Sequence, residues 1–150
     1  MKETAKRRLA WLLPILVLLV LSSACSEGMH RRGMPADAKA VLDTSIEDID
    51  AGRYEKIYQE AADEWRNEAT LEESKATFMT LRDKLGGVRT RNMQTAREED
   101  TSTGPIPGHS IVVVYQTSFE RGGGMETFTL LERGGRWYLA RYFVTSSQLG

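Results

Sequence analysis

Among its 150 residues the chain has one cysteine, two histidines and four prolines. A lone cysteine excludes a disulfide within the chain, so no covalent framework holds the fold. So few histidines and cysteines give a zinc site almost no ligands to draw on. An excess of positive charge is lacking as well: 20 Lys and Arg stand against 21 Asp and Glu. Without a basic stripe the chain has no electrostatic footprint for nucleic acid, which is excluded as a partner. The longest apolar run, Leu9 to Leu21, has 13 residues, and a membrane-spanning helix takes roughly 20.

What is there divides unevenly. Lys2, Lys6, Arg7 and Arg8 precede the apolar run, with Glu3 the one acid among them, and Ser22-Ser23-Ala24 follow it. A basic start, a short apolar stretch and small residues make a cleaved secretory signal over residues 1–24. Leu21-Ser22-Ser23-Ala24-Cys25 resembles a lipobox, the signal at which lipoprotein signal peptidase cuts before a lipid-modified cysteine. Ser23 and Ala24 are small enough for a protease cleft, although Ser22 stands where leucine is commonest. The resemblance implies cleavage between Ala24 and Cys25, with diacylglycerol and further acyl chains on Cys25. One chain alone anchors a protein only marginally, and stable attachment takes more. The membrane is then a partner through that lipid, and the location is the cell envelope, facing the periplasm or the exterior. Ser26 in place of aspartate favours the outer membrane. Residues 25–35 are polar and contain glycine, so they read as a flexible tether. Residues 36–150 remain for a single domain. Residues 25–150 carry 16 bases against 20 acids, a net charge of −4.

Pro35 and Asp37 suit a helix start. From there Ala38, Val41, Leu42, Ser45, Ile46 and Ile49 recur at helical spacing, and Gly52 offers a left-handed C-cap. A second helix places Tyr54, Ile57, Tyr58, Ala61, Ala62 and Trp65 on its buried stripe. Thr70 and Glu73 form a capping-box pattern for a third, which presents Phe78, Leu81 and Leu85 and stops at Gly86-Gly87. After Gly87 the period becomes two. Val88 to Arg97 reads as a polar edge strand and Glu98 to His109 as a long loop. Ile111–Phe119, Met125–Glu132 and Arg136–Thr145 follow as strands, with Gly122-Gly123 and Gly134-Gly135 as primed hairpin turns. Three helices followed by a four-stranded antiparallel meander make an α+β domain, with the helices on one sheet face.

Two-residue turns at both glycine pairs set a register. Phe119 then faces Glu126, Thr117 faces Phe128, Tyr115 faces Leu130, Leu130 faces Leu139 and Phe128 faces Arg141. The core face collects Ile111, Val113, Tyr115, Phe119, Phe128, Leu130, Trp137, Leu139 and Phe143. The reverse face, with Val112, Val114, Gln116, Thr127, Thr129, Tyr138 and Tyr142, is half-apolar, which suggests water contact or a homodimer.

Several short motifs occur in order: Gly52-Arg53-Tyr54, Trp65, Leu85-Gly86-Gly87-Val88 with Arg91, and Pro105-Ile106-Pro107-Gly108. Val113-Val114-Tyr115, Glu126-Thr127 and Gly135-Arg136-Trp137-Tyr138 complete the series. Over residues 36–145 the chain resembles small bacterial envelope proteins of the nuclear-transport-factor-2-like, or cystatin-like cone, superfamily. The resemblance implies a curved sheet wrapped around a long helix to leave a conical pocket. It implies no activity, because that fold hosts isomerases, dehydratases and non-catalytic binding modules.

Chemistry-bearing residues are sparse. His30 lies in the tether and His109 ends a loop, and Ser110 beside His109 points the other way on a strand. Glu98-Glu99-Asp100 reads as a solvated loop, so no metal and no cofactor is expected. Thr117, Glu126 and Arg141 stand on the core face among aromatics, and Arg89 and Arg91 share a strand face with Met93. In the register above, Arg141 is the diagonal neighbour of Glu126, about 7–8 Å away at Cα. An arginine there would hold the carboxyl ionised and make it a poor general base. The candidate pocket is therefore Arg91, Tyr115, Glu126 and Arg141, with Cys25 for the lipid. The expected function is a non-enzymatic module that binds an envelope protein or a small ligand. The alternative is a small isomerase or hydrolase with Glu126 as its base.

Overall fold

The computed structural model describes residues 33–150. The signal, the Ala24–Cys25 junction and the tether up to Arg32 lie outside the described residues.

Helix α1 (Ala36–Asp50) buries Ala38, Leu42, Ser45 and Ile49 at the expected spacing. The Pro35 carbonyl accepts from Lys39 N at 2.9 Å, and Gly52 closes the other end at φ +72°. The stretch expected to be one second helix is two, α2 (Tyr54–Glu60) and α3 (Asp63–Glu68). Ala61 and Ala62 between them are extended, although alanine is the best helix former. The cause is tertiary: Ala62 N–H donates to Leu139 O at 2.9 Å, pinning the chain to the edge of the sheet. Helix α4 (Leu71–Leu85) starts in a full capping box between Thr70 and Glu73 and ends at Gly86, φ +77°.

Four strands follow: β1 (Val88–Thr101), β2 (Gly108–Phe119), β3 (Gly122–Arg133) and β4 (Arg136–Thr145). They form one antiparallel sheet in the order β1-β2-β3-β4, so the fold is α+β. Strand β1 runs past Arg97 to Thr101 and β2 starts at Gly108, so strands take up both ends of the segment expected to be a loop. Arg89 falls at an irregularity in its pairing and is exposed, as is Met93, so neither joins Arg91.

Both hairpins depart from the expected register, for different reasons. In the first, Glu120-Arg121 makes the turn, and Phe119 pairs with Gly122, Tyr115 with Glu126 and Val113 with Phe128. Arg121 N–H donates to Leu85 O and Glu120 N–H to Gly87 O, both at 2.9 Å, while the Glu120 carboxylate accepts from Gly87 N. Those bonds dock the turn on the end of α4. The glycines serve close packing instead: a Cβ on Gly124 would stand 2.8 Å from Thr145 O. The displacement is an even number of residues, so each β2 and β3 side chain keeps its expected face.

In the second hairpin Gly134-Gly135 turns as expected, with φ of +58° and +75°, and Leu130 pairs with Leu139. A bulge then makes Ala140 an extra residue. Thr129 pairs with Arg141 and Phe128 with Tyr142. The faces of β4 are exchanged beyond that point. Tyr142 enters the core, whereas Phe143 is 46% exposed. The helices cover the face bearing Ile111, Val113, Tyr115, Phe128, Leu130, Trp137 and Leu139. On the reverse face Leu131 and Ala140 pack under Ala62 and Ile106. Val112, Val114 and Thr127 on that face are half-buried. Among the described residues no helix is long and apolar enough to cross a membrane.

Candidate functional site

The inward-facing polar side chains of the sheet converge on Glu126, which is fully buried in β3. Its Oε2 accepts from Arg91 Nε at 2.6 Å and from Thr117 Oγ1 at 2.5 Å. Its Oε1 accepts from Arg91 Nη2 at 3.1 Å and from Tyr142 Oη at 2.8 Å. The donors come from β1, β2 and β4, so the carboxylate ties the whole sheet together. Arg91 reaches further, donating from Nη1 and Nη2 to Asp50 at the end of α1 at 2.6 and 2.8 Å. One guanidinium is thus bidentate to two carboxylates, the arrangement its planar fork suits best.

The electrostatics follow from that arrangement. Burial works to lower the Arg91 pKa, but Asp50 and Glu126 outweigh it and the pKa is raised. Tyr142 is pushed well above the ordinary phenol range by burial first, then by the Glu126 charge and the bond it donates there. Tyr115 is also raised, mainly by burial and secondarily by Asp43. Both phenols stay protonated, and Tyr142 remains a donor.

The space beside these groups is small. A crevice of about 30 Å³ lies among Tyr54, Phe78, Arg91, Glu126 and Tyr142. That is room for about two or three waters. Aromatic rings pack beside it. Tyr54 stacks on Phe78 at 4.9 Å between centroids, and Phe78 on Tyr142 at 5.6 Å. Tyr142 in turn meets Phe128 at 4.9 Å.

Of the four expected pocket residues, three are together: Arg91 and Glu126 bond directly, and Tyr115 is the cross-strand neighbour of Glu126. Arg141 is not with them. The bulge at Ala140 turns it outward, where Nη2 lies 3.4 Å from Glu68 Oε1. Glu126 thus has an arginine partner, but it is Arg91. Sequence reasoning missed Asp50 and placed Tyr142 on the wrong face. Arg91 was among the expected pocket residues, but its pairing with Glu126 comes from the register of β1, which sets it opposite Thr117.

A second buried carboxylate, Asp48, sits at the end of α1 with a side chain 3% exposed. It accepts from Arg53 Nε and Lys56 Nζ, each at 2.6 Å. Burial works to raise its pKa, but the two cations prevail and it is lowered.

No curated protein matches the chain. A family model described as "Protein of unknown function (DUF4019)" matches residues 42–142, from the middle of α1 to Tyr142 in β4, and so includes every residue of the Glu126 network. The chain belongs to that family.

Proposed function

We propose that this chain is a lipid-anchored protein of the cell envelope whose domain is a non-catalytic binding module for a protein partner or a small ligand. The anchor rests on the lipobox-like Ser22-Ser23-Ala24-Cys25 after the apolar run. The non-catalytic role rests on one observation: both oxygens of Glu126 already accept two hydrogen bonds each. A general base needs a lone pair within reach of a substrate proton. Here the crevice beside it has no room for an organic substrate. A sheet with helices over one face supports the resemblance to the cone superfamily, whose pocket the aromatic stack would close. Binding then takes place on the outer surface.

Intact-mass analysis of the processed protein tests the anchor. The expected N-terminus is Cys25 carrying acyl chains, and a mature N-terminus at any other residue would overturn it. Photo-crosslinking from a benzoylphenylalanine at Thr77 or Val114 in whole cells tests binding. A discrete adduct from either position is expected, and no adduct from both would sink the binding-module reading.

A further inference from the structure

A groove of about 290 Å³ runs between α3, α4 and the far half of β4. Its floor is Trp65, Phe78 and Tyr142, a continuation of the aromatic stack. Ala69 and Ala140 leave it open, and the half-exposed Phe143 stands at its lip. Two independent features make it more than a dent.

The first is the strand beside it. β4 is the last strand of the sheet, so its outer backbone N–H and C=O groups have no strand partner. Among the described residues Ala62 N–H meets that edge at Leu139 O, before the groove begins. An exposed strand edge is a template for a further strand. The second is charge. Glu68 and Glu73 stand on the helical rim, and Arg141 opposite them reaches only Glu68, leaving the rim net negative. Glu73 is held ionised, with its pKa lowered by the bonds from the Thr70 backbone and side chain.

The buried network also acquires a purpose here. The Ala140 bulge aims Tyr142 inward, and Glu126 holds its hydroxyl, so the ring is set in place as part of the groove's floor. Glu126 and Arg91 are positioning residues for that floor.

We propose that this groove binds an extended peptide of a protein partner, which adds to the edge of β4, lays an aromatic or aliphatic side chain on the Trp65–Phe78–Tyr142 floor, and meets Glu68 and Glu73 with basic flanking residues. The inference rests on the binding-module reading and names its surface and partner chemistry.

The test is NMR titration of the full chain in detergent micelles. The probes are acetyl-Lys-Val-Phe-Val-Lys-amide, its twin with Glu in place of Lys, and indole. The basic peptide should shift the Trp65 indole N–H and slow the exchange of amides between Arg141 and Thr145. The acidic twin should bind about tenfold more weakly. Thr77→Trp, an exposed change that fills the groove, should weaken the basic peptide about tenfold, and Glu68→Lys should reverse the preference between the twins. Unmoved β4 amides, equal binding of the twins, or a response that survives Thr77→Trp would overturn the proposal. So would indole shifting Trp65 while neither peptide protects β4, since the groove would then be a small-molecule site. A crosslink from Val114 alongside silent peptides would sink the groove and leave the binding module standing. Absence of both would sink both.

Discussion

Two carboxylates are buried in this domain, and the means by which each is satisfied differ. Asp48 is neutralised within its own neighbourhood: Arg53 and Lys56 follow it by five and eight residues, around the turn that ends α1. Glu126 is neutralised by Arg91, 35 residues earlier, and hydrogen-bonded by Thr117 and Tyr142 from two more strands. Burying a charge is costly unless it is paired and hydrogen-bonded, and both sites obey that rule. The local site needs only a helix end. The distant one needs all four strands in register, and so depends on the global fold.

That contrast can be broken by mutation. The largest effect should come from Arg91→Met, which leaves Glu126 buried beside only two neutral donors. Breaking a buried pair from one side costs about 3–5 kcal/mol, and chemical denaturation should report a loss of that order. Glu126→Gln together with Arg91→Met should cost less than the sum of the two single changes. Additive losses would mean the two side chains do not interact.

Tyr142→Phe comes next. It removes one hydrogen bond to a buried carboxylate and keeps the ring, so about 1.5–3 kcal/mol is expected. The folded-state pKa of Tyr142 is raised, so its contribution is present below the unfolded phenol value, about 10, and is lost as pH rises through the folded value. Wild-type protein should therefore lose stability in alkali more steeply than Tyr142→Phe. Parallel curves would remove Tyr142 from the network.

Asp48→Asn should be milder, about 1–2 kcal/mol, because its partners are half-exposed and can turn to water. The sign of its pH effect is opposite. Its folded pKa is lowered, so its contribution is present above about pH 4 and is lost as pH falls through the folded value. The acid limb of the stability curve should flatten in Asp48→Asn, and an unchanged limb would assign that limb to other groups. The smallest effect should come from Arg141→Met. Its partner is 3.4 Å away and both are substantially exposed, so less than about 0.5 kcal/mol is at stake. A loss as large as that of Arg91→Met would place Arg141 in the core after all.

The same contrast governs what was legible in the sequence. The α+β order, the capping box at Thr70 and Glu73 and the turn at Gly134-Gly135 are local, and the structure has them. Burial of Thr117 and Glu126 was legible because alternation sets a face, and an even shift of register preserves it. The α2–α3 break was not legible, since Ala61-Ala62 leaves the helix only for a bond to Leu139. Neither was the bulge at Ala140. No residue there advertises it, yet it exchanges Arg141 for Tyr142 and with them the partner of Glu126. Cys25 was legible as a motif, and its place lies outside the described residues.

The docked turn at Glu120-Arg121 implies a competition in time. Two registers are open to the β2–β3 hairpin, and the glycine pair favours the one that the folded domain does not use. The native register is supported by carbonyls of Leu85 and Gly87 at the end of α4, which a chain still lacking that helix end cannot offer. A nascent hairpin should therefore form first around Gly122-Gly123 and slide when α4 arrives. A peptide of residues 108–133 alone should rest in the slid-back register, with cross-strand contacts between Thr117 and Phe128. The helix then acts as the template that selects one alignment from two.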